Sequence, residues 1–186
     1  MRIKNDFSGV TLVELLVTLS ILAVLTAIAV PSFSGLAQNL ALSGQVNSMN
    51  ADIRYARSEA MKRGVNVTLC VSADPLASSP TCSGNDWRTG WIIFVNNNAD
   101  ATFDAGEVLL RRQEAFTNKS GAISALQGGT TVLGNLSLTR DGRISAPTAN
   151  VRILIEFKPN GASQSSKFLC VSTNGRSKAV TLAPEC

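Results

Sequence analysis

The sequence predicts an α+β chain: a long N-terminal helix, apolar in its first half and amphipathic in its second, packed on a C-terminal all-β head. Three observations lead there. Residues 10–30 carry one charge, Glu14, in an otherwise apolar run. From Pro31 to Arg63, apolar residues return at the three-and-four spacing of a helix with one buried face. Beyond Gly64, short β-branched and aromatic runs alternate with Gly, Pro, Asn and Asp. With 186 residues, 45% hydrophobic and 16% charged, the chain can bury a core and is excluded from the disordered acidic or basic tails.

The elements follow in order. Residues 1–9 are a short, mostly polar segment. The apolar run 10–30 is long enough, at about 1.5 Å per residue, to cross a bilayer core of roughly 30 Å as a transmembrane helix. Arg2 and Lys4 precede it, and no Lys or Arg follows until Arg54, which orients the N-terminus to the cytoplasm and sends the bulk of the chain outside. A secretory signal cut near Pro31, after Thr26-Ala27-Ile28-Ala29-Val30, is the competing reading. The run exceeds the usual core of about 7–15 residues in such signals. Residues 31–63 continue the helix, with Phe33, Leu36, Leu40, Met49, Ile53, Ala56 and Ala60 on its apolar stripe. Arg63 and Gly64 supply the basic last turn and the glycine that close it.

Residues 64–186 form the head. Strands are expected at Val65–Val71, Trp91–Val95, Val108–Arg112, Val132–Leu138, Val151–Phe157, Lys167–Ser172 and Lys178–Leu182. Asp141-Gly142, Asn160-Gly161 and Asn174-Gly175 offer tight hairpin turns. Cys70 and Cys82 bracket a loop rich in serine with Pro75 and Pro80. A disulfide closing roughly a dozen residues contributes about 3 kcal/mol in the chain-entropy model. Cys186, the last residue of the sequence, is expected to pair with Cys170 and tie the C-terminus to the preceding hairpin. Metal binding by the four thiols is disfavoured because no C-x-x-C spacing occurs.

Glu14 carries the functional signal. A carboxylate inside an apolar helix costs about 2.5–3.5 kcal/mol on insertion scales, so it needs a partner. Gly9 followed by Val10-Thr11-Leu12-Val13-Glu14-Leu15 resembles the type IV prepilin signature, which implies a type IV pilin-like fold, cleavage by prepilin peptidase after Gly9 and N-methylation of Val10. Pro31 falls where that family commonly kinks its helix. Val10 stands where phenylalanine is usual, at a position that tolerates other apolar residues. In a bundle of such helices, Glu14 of one subunit can pair with the Val10 amine of its neighbour.

The block Gly90-Trp91-Ile92-Ile93-Phe94-Val95, the Asn/Asp loop after it and Gly106-Glu107-Val108-Leu109, with Arg143 and Gly175-Arg176, resembles the FimT/GspH group of minor pilins and pseudopilins. The resemblance implies a low-copy subunit of a type IV pilus that acts in assembly or initiation near the tip. The alternative is a minor pseudopilin of a type II secretion system. Implied partners are other pilins in a filament, prepilin peptidase and the bacterial inner membrane, with the head in the periplasm.

Asn96, Asn98, Asp100, Thr102, Asp104 and Glu107 occupy the ligand positions of an EF-hand-like calcium loop. Position one lacks a carboxylate, Ala101 replaces the turn glycine and the flanks read as strands, so a solvated hairpin loop is expected and no metal or other cofactor. The chain contains no histidine, and its cysteines are expected to be oxidised. No activated nucleophile or general base is recognisable, and no enzyme is expected.

Charge is uneven. Residues 10–107 sum to −3 and residues 108–186 to +6. The strand period puts Arg176 and Lys178 on one face near a hairpin tip. The FimT branch carries Gly-Arg-x-Arg there, which implies DNA capture in natural transformation; here Lys178 replaces the second arginine. Such a patch contacts duplex backbone without sequence preference. Arg140, Arg143 and Arg152 extend the track if strand order brings them to that face, and an ordinary solvated hairpin is the other reading.

Overall fold

The computed structural model describes residues 9–116, 120–145, 152–160, 165–180, 182–183 and 186; the side chains of 28–34 and 120 lie outside that set. The chain divides into two units, Met1–Ala37 and Gln38–Cys186. Helix α1 covers Leu12–Arg63.

In the first unit, Thr11 caps the helix, its Oγ1 accepting the Glu14 backbone N–H at 3.2 Å. Large apolar side chains from Val10 to Leu25 are 52–76% exposed. The hydroxyls of Thr18, Ser20 and Thr26 donate to carbonyls of the preceding turn, at 2.9, 2.8 and 2.9 Å. These hydroxyls are thereby satisfied by the helix itself, as an apolar surrounding demands. Among the described residues, no helix is long and apolar enough to cross a membrane. The described side chains of the apolar run reach Ala27, and residues 28–30 of the expected span lie outside them.

In the second unit, α1 buries Leu42, Val46, Met49, Ile53, Ala56 and Ala60, spaced by fours and threes along one face. The expected stripe slips at its start: Leu36 and Leu40 are exposed, and Phe33 lies outside the described side chains. Leu40 and Leu42 are about 200° apart on a helical wheel, and Ser43 and Gly44 offer no apolar side chain to continue the Leu36–Leu40 row. The helix closes as expected, Gly64 N–H donating to the Ala60 carbonyl at 2.9 Å.

Among the described residues, ten strands build two antiparallel sheets: β1 Asn66–Val71, β2 Trp91–Asn96, β3 Leu109–Gln113, β4 Ser120–Gln127, β5 Thr131–Leu133, β6 Asn135–Leu138, β7 Ile144–Ser145, β8 Ile153–Pro159, β9 Lys167–Val171 and β10 Ser177–Val180. The first sheet has order β3-β2-β1-β6-β7 and the second β10-β9-β8-β4-β5. Alternate residues of both sheets, among them Leu69, Ile93, Leu138, Ile155 and Leu169, join the α1 face in one core. The outer face of the first sheet has a smaller core, in which Cys70, Ile92 and Phe94 pack with Cys82, Phe103 and Leu109. This explains why β2 is buried on both faces.

The run 132–138, read as one strand, is two strands in different sheets, β5 and β6. Gly134 lies between them, and a Cβ there would overlap the Gly84 carbonyl oxygen. Strand β4 was not anticipated, because Ser120-Gly121-Ala122-Ile123-Ser124-Ala125-Leu126-Gln127 has little β-branched or aromatic character. Its pairing with β8 supplies what its composition lacks, with Ile123 opposite Phe157 and Ala125 opposite Ile155. The two-residue β7 and a 3-10 turn at Trp87–Thr89 were also missed. The Asn160-Gly161 turn lies partly outside the described residues. Cys70 is bonded to Cys82 and Cys170 to Cys186, each pair with Cα atoms 5.4 Å apart.

Candidate functional site: an arginine cleft beside two matched turns

Two turns with one design meet at the end of the second unit. In Thr139-Arg140-Asp141-Gly142-Arg143, Gly142 N–H donates to Thr139 O at 2.7 Å and Thr139 N–H to Arg143 O at 2.8 Å. In Ser172-Thr173-Asn174-Gly175-Arg176 the same bonds recur, from Gly175 to Ser172 O at 2.8 Å and from Ser172 to Arg176 O at 2.9 Å. Gly142 and Gly175 share φ +71°, and only the glycines of these turns are left-handed. These are therefore three-residue hairpin loops with a glycine bulge, rather than the two-residue form with both central residues left-handed.

The turns touch each other and α1. Ile144 N–H donates to Thr173 O at 3.1 Å. Arg57 Nε donates to Gly142 O at 2.9 Å, and Ser177 Oγ to Asn50 Oδ1 at 2.5 Å. Between α1 and the second turn lies a cavity of about 370 Å³ lined by Arg54, Arg57, Ser58, Met61, Gly175, Arg176 and Ser177. On α1 these residues sit at i, i+3, i+4 and i+7, one face of the helix. None of the four ion pairs among the described residues uses Arg54, Arg57 or Arg176.

Of the residues expected to bind DNA, Arg176 lines this cleft. Lys178 is exposed on β10, opposite Cys170, and is not among the lining residues. Arg140 lines a different cavity, of about 410 Å³, together with Asp141, Asn96 and Asn97. Arg143 is exposed at the end of the first turn, and the Arg152 guanidinium contacts the Cys186 carbonyl. Sequence reasoning overlooked Arg54 and Arg57 as site residues. Their signal was the i, i+3 spacing on the flank of the buried stripe, but nothing in the sequence says which strand lies beside that flank.

The 96–107 loop satisfies itself. Asn98 Nδ2 donates to Asp100 Oδ2 at 2.7 Å and to Asp104 Oδ2 at 3.0 Å; Glu107 accepts the Asn97 and Asp104 backbone N–H groups at 2.9 and 3.1 Å. The buried Asn96 turns inward and donates to Thr68 Oγ1 at 2.8 Å. The Thr102 N–H holds the Asp100 carboxyl below its ordinary range. Among the described residues, no group of three or more His, Cys, Asp or Glu is placed to hold a metal ion. Gly9, Val10 and Glu14 are exposed at the start of the first unit.

A buried carboxylate ties α1 to the first sheet. Asp52, 2% exposed, accepts from Trp91 Nε1 at 2.8 Å and pairs with Arg111 at 2.9 Å, whose guanidinium lies over the Tyr55 ring. Burial pushes its carboxyl above the ordinary 3.8, against the lowering effects of Trp91 and Arg111. The contribution of Asp52 to stability is thus fullest below the unfolded value and is lost as pH rises through the raised folded value. Relative to wild type, Asp52→Asn is expected to be most destabilised near about pH 3 and to recover toward about pH 7. Urea unfolding followed by tryptophan fluorescence checks this; a penalty that grows with pH would contradict it.

A family model described as "Type II transport protein GspH" matches residues 45–184, and one described as "Prokaryotic N-terminal methylation motif" matches residues 4–30. The chain is 29% identical over 170 residues to pilin-like protein PilA1 of Thermus thermophilus, covering 91% of this chain and 96% of that one. Crystal structures of the type IV minor pilin FimU of Pseudomonas aeruginosa share the fold. One, at 21% identity and TM-score 0.58, covers 78% of this chain and 92% of that chain. The other, at 22% and 0.52, covers 75% and 92%.

Proposed function

The chain belongs to the GspH family, and from that premise we propose that it is a minor pilin of a type IV pilus, made as a prepilin, cut after Gly9, methylated on Val10 and held in the inner membrane through residues 10–30 before it enters the filament. The observation that carries this reading is the first unit. Its apolar side chains are exposed along the helix, its hydroxyls are satisfied internally, and Glu14 is the one charge among residues 10–30. Such a surface is stable in lipid or against copies of itself, and costly in water. Arg2 and Lys4 favour a cytoplasmic N-terminus and a periplasmic head. The role is structural rather than enzymatic, in assembly or initiation near the tip, with prepilin peptidase and neighbouring pilins as partners. A type II secretion pseudopilus is the alternative assembly; the likeness to a pilin-like protein over nearly the whole chain favours the pilus.

Mass spectrometry of the chain recovered from sheared surface filaments tests the reading. The expected mass lacks residues 1–9 and carries one methyl group on Val10. An intact leader, a cut near Pro31, or absence from sheared pili alongside recovery with a secretion complex would overturn it.

A second reading, DNA capture, is favoured by the arginine cleft. It unites Arg176, from the part of the chain that sums to +6, with two cations from α1, and no carboxylate lines it. Phosphate contacts of this kind bind duplex DNA without reading its sequence.

A further inference from the structure

We propose that the cleft between α1 and the Ser172–Arg176 turn is a phosphodiester seat in which Arg54 and Arg176 grip one backbone phosphate from opposite walls, while Lys178 stands outside it. The proposal rests on the DNA reading above and names the residues that do the binding.

The donors on offer decide the ligand. Ser58 Oγ donates to Tyr55 O at 2.7 Å and Ser177 Oγ to Asn50 at 2.5 Å, so both hydroxyl protons are spent inside the protein. Arg57 Nε is spent on Gly142 O, which leaves its terminal amino groups and fixes the plane of its guanidinium. The guanidinium groups of Arg54 and Arg176 have no hydrogen bond or ion pair among the described residues. The cleft therefore presents donors and positive charge, with no carboxylate in its lining. Its ligand is an anion with several acceptor oxygens.

Volume and lining narrow the class. About 370 Å³ falls in the range of small-molecule pockets, roughly 300–1,000 Å³. Met61, 46% exposed, adds an apolar wall one helical turn beyond Arg57. An anion bearing a sugar fits cations on two walls, with a thioether beside those of α1, better than a bare inorganic ion does. Arginine's planar fork can hold two phosphate oxygens at once, whereas lysine acts as a point charge. The seat is also built before the ligand arrives. The Arg57–Gly142 and Asn50–Ser177 bonds fix α1 against the turns, so little ordering remains to be done on binding.

The test uses the full chain in non-ionic detergent and a fluorescent duplex of arbitrary sequence, with anisotropy titrations at several salt concentrations. Arg54→Gln and Arg176→Gln are each expected to weaken binding about tenfold, as a lost charge-assisted hydrogen bond does, and to reduce the salt slope by about 0.9. Lys178→Gln is expected to weaken it less than about twofold. The double Arg54→Gln/Arg176→Gln variant should lose less than the product of the single losses, because both side chains serve one phosphate. Arg54 is exposed, so its variant keeps the fold, checked by an unchanged thermal melt. If wild type binds and Lys178→Gln is the damaging change while Arg54→Gln is silent, the seat is overturned and DNA capture stands. Multiplicative losses would overturn the shared phosphate. Wild type that fails to bind even at low salt overturns both.

Discussion

Gly175→Val is expected to destabilise the second unit by about 3 kcal/mol or more, lowering the melting temperature by roughly 6–12 °C. Two costs combine. At φ +71° a side chain costs about 1–2 kcal/mol in the left-handed region, and more for a β-branched residue. A Cβ there would also overlap the Gly142 carbonyl oxygen, with Arg57 Cδ only 3.2 Å away. Neither neighbour can retreat freely: the oxygen belongs to the matched turn and is held by Arg57 Nε, and Ile144 N–H is bound to Thr173 O. Separating the turns loses these bonds. Gly64→Asn is the control, since nothing lies within 4 Å of a Cβ there and asparagine tolerates that conformation. Circular dichroism melts of the two variants compare the costs, and equal small shifts would refute the packing argument.

Glu14→Ala is expected to leave insertion of the helix intact, or ease it, and to remove the chain from sheared filaments. On insertion scales a carboxylate costs about 2.5–3.5 kcal/mol at mid-membrane, and less near the end of the span, where Glu14 sits. Its place in the first turn of α1 recovers a little of that through the helix dipole, about 0.3–1 kcal/mol. Among the described residues it forms no ion pair. In the filament proposed above, the remaining cost is offset by a neighbouring subunit's Val10 amine. Removing either charge leaves the other buried and unpaired, which costs about 3–5 kcal/mol. Glu14→Gln keeps the volume and should fail like alanine. Immunoblots of membrane and sheared-pilus fractions measure both steps, and normal filament entry by either variant would refute the charge-pair account.

The helix was legible because its signals are local. The apolar run, the spacing from Met49 to Ala60 and the Arg63-Gly64 stop can each be read within a few residues. Strand β2 announced itself through Trp91-Ile92-Ile93-Phe94-Val95. Strand β4 did not, because its stability comes from β8, far along the chain, rather than from its own alanines and serines. The break at Gly134 was invisible for a similar reason: it answers the close approach of Gly84, fifty residues upstream. The cleft combined both cases. Arg176 was legible from its turn, whereas Arg54 and Arg57 read as ordinary solvated arginines of an amphipathic helix until β10 was seen to lie beside them. Arg176 and Lys178 are both exposed with buried Ser177 between them, as the strand period predicts, but only Arg176 lines the cleft.

The bonds that frame the cleft join distant parts of the sequence: Arg57 with Gly142 across 85 positions, and Asn50 with Ser177 across 127. Contacts of such separation form late and slowly, since the loops they close must be ordered first. A chain emerging from its N-terminus presents α1 long before β10 exists, so an incomplete chain has scattered arginines but no cleft. The cleft thereby becomes a certificate of completed folding, present only after β10 has docked.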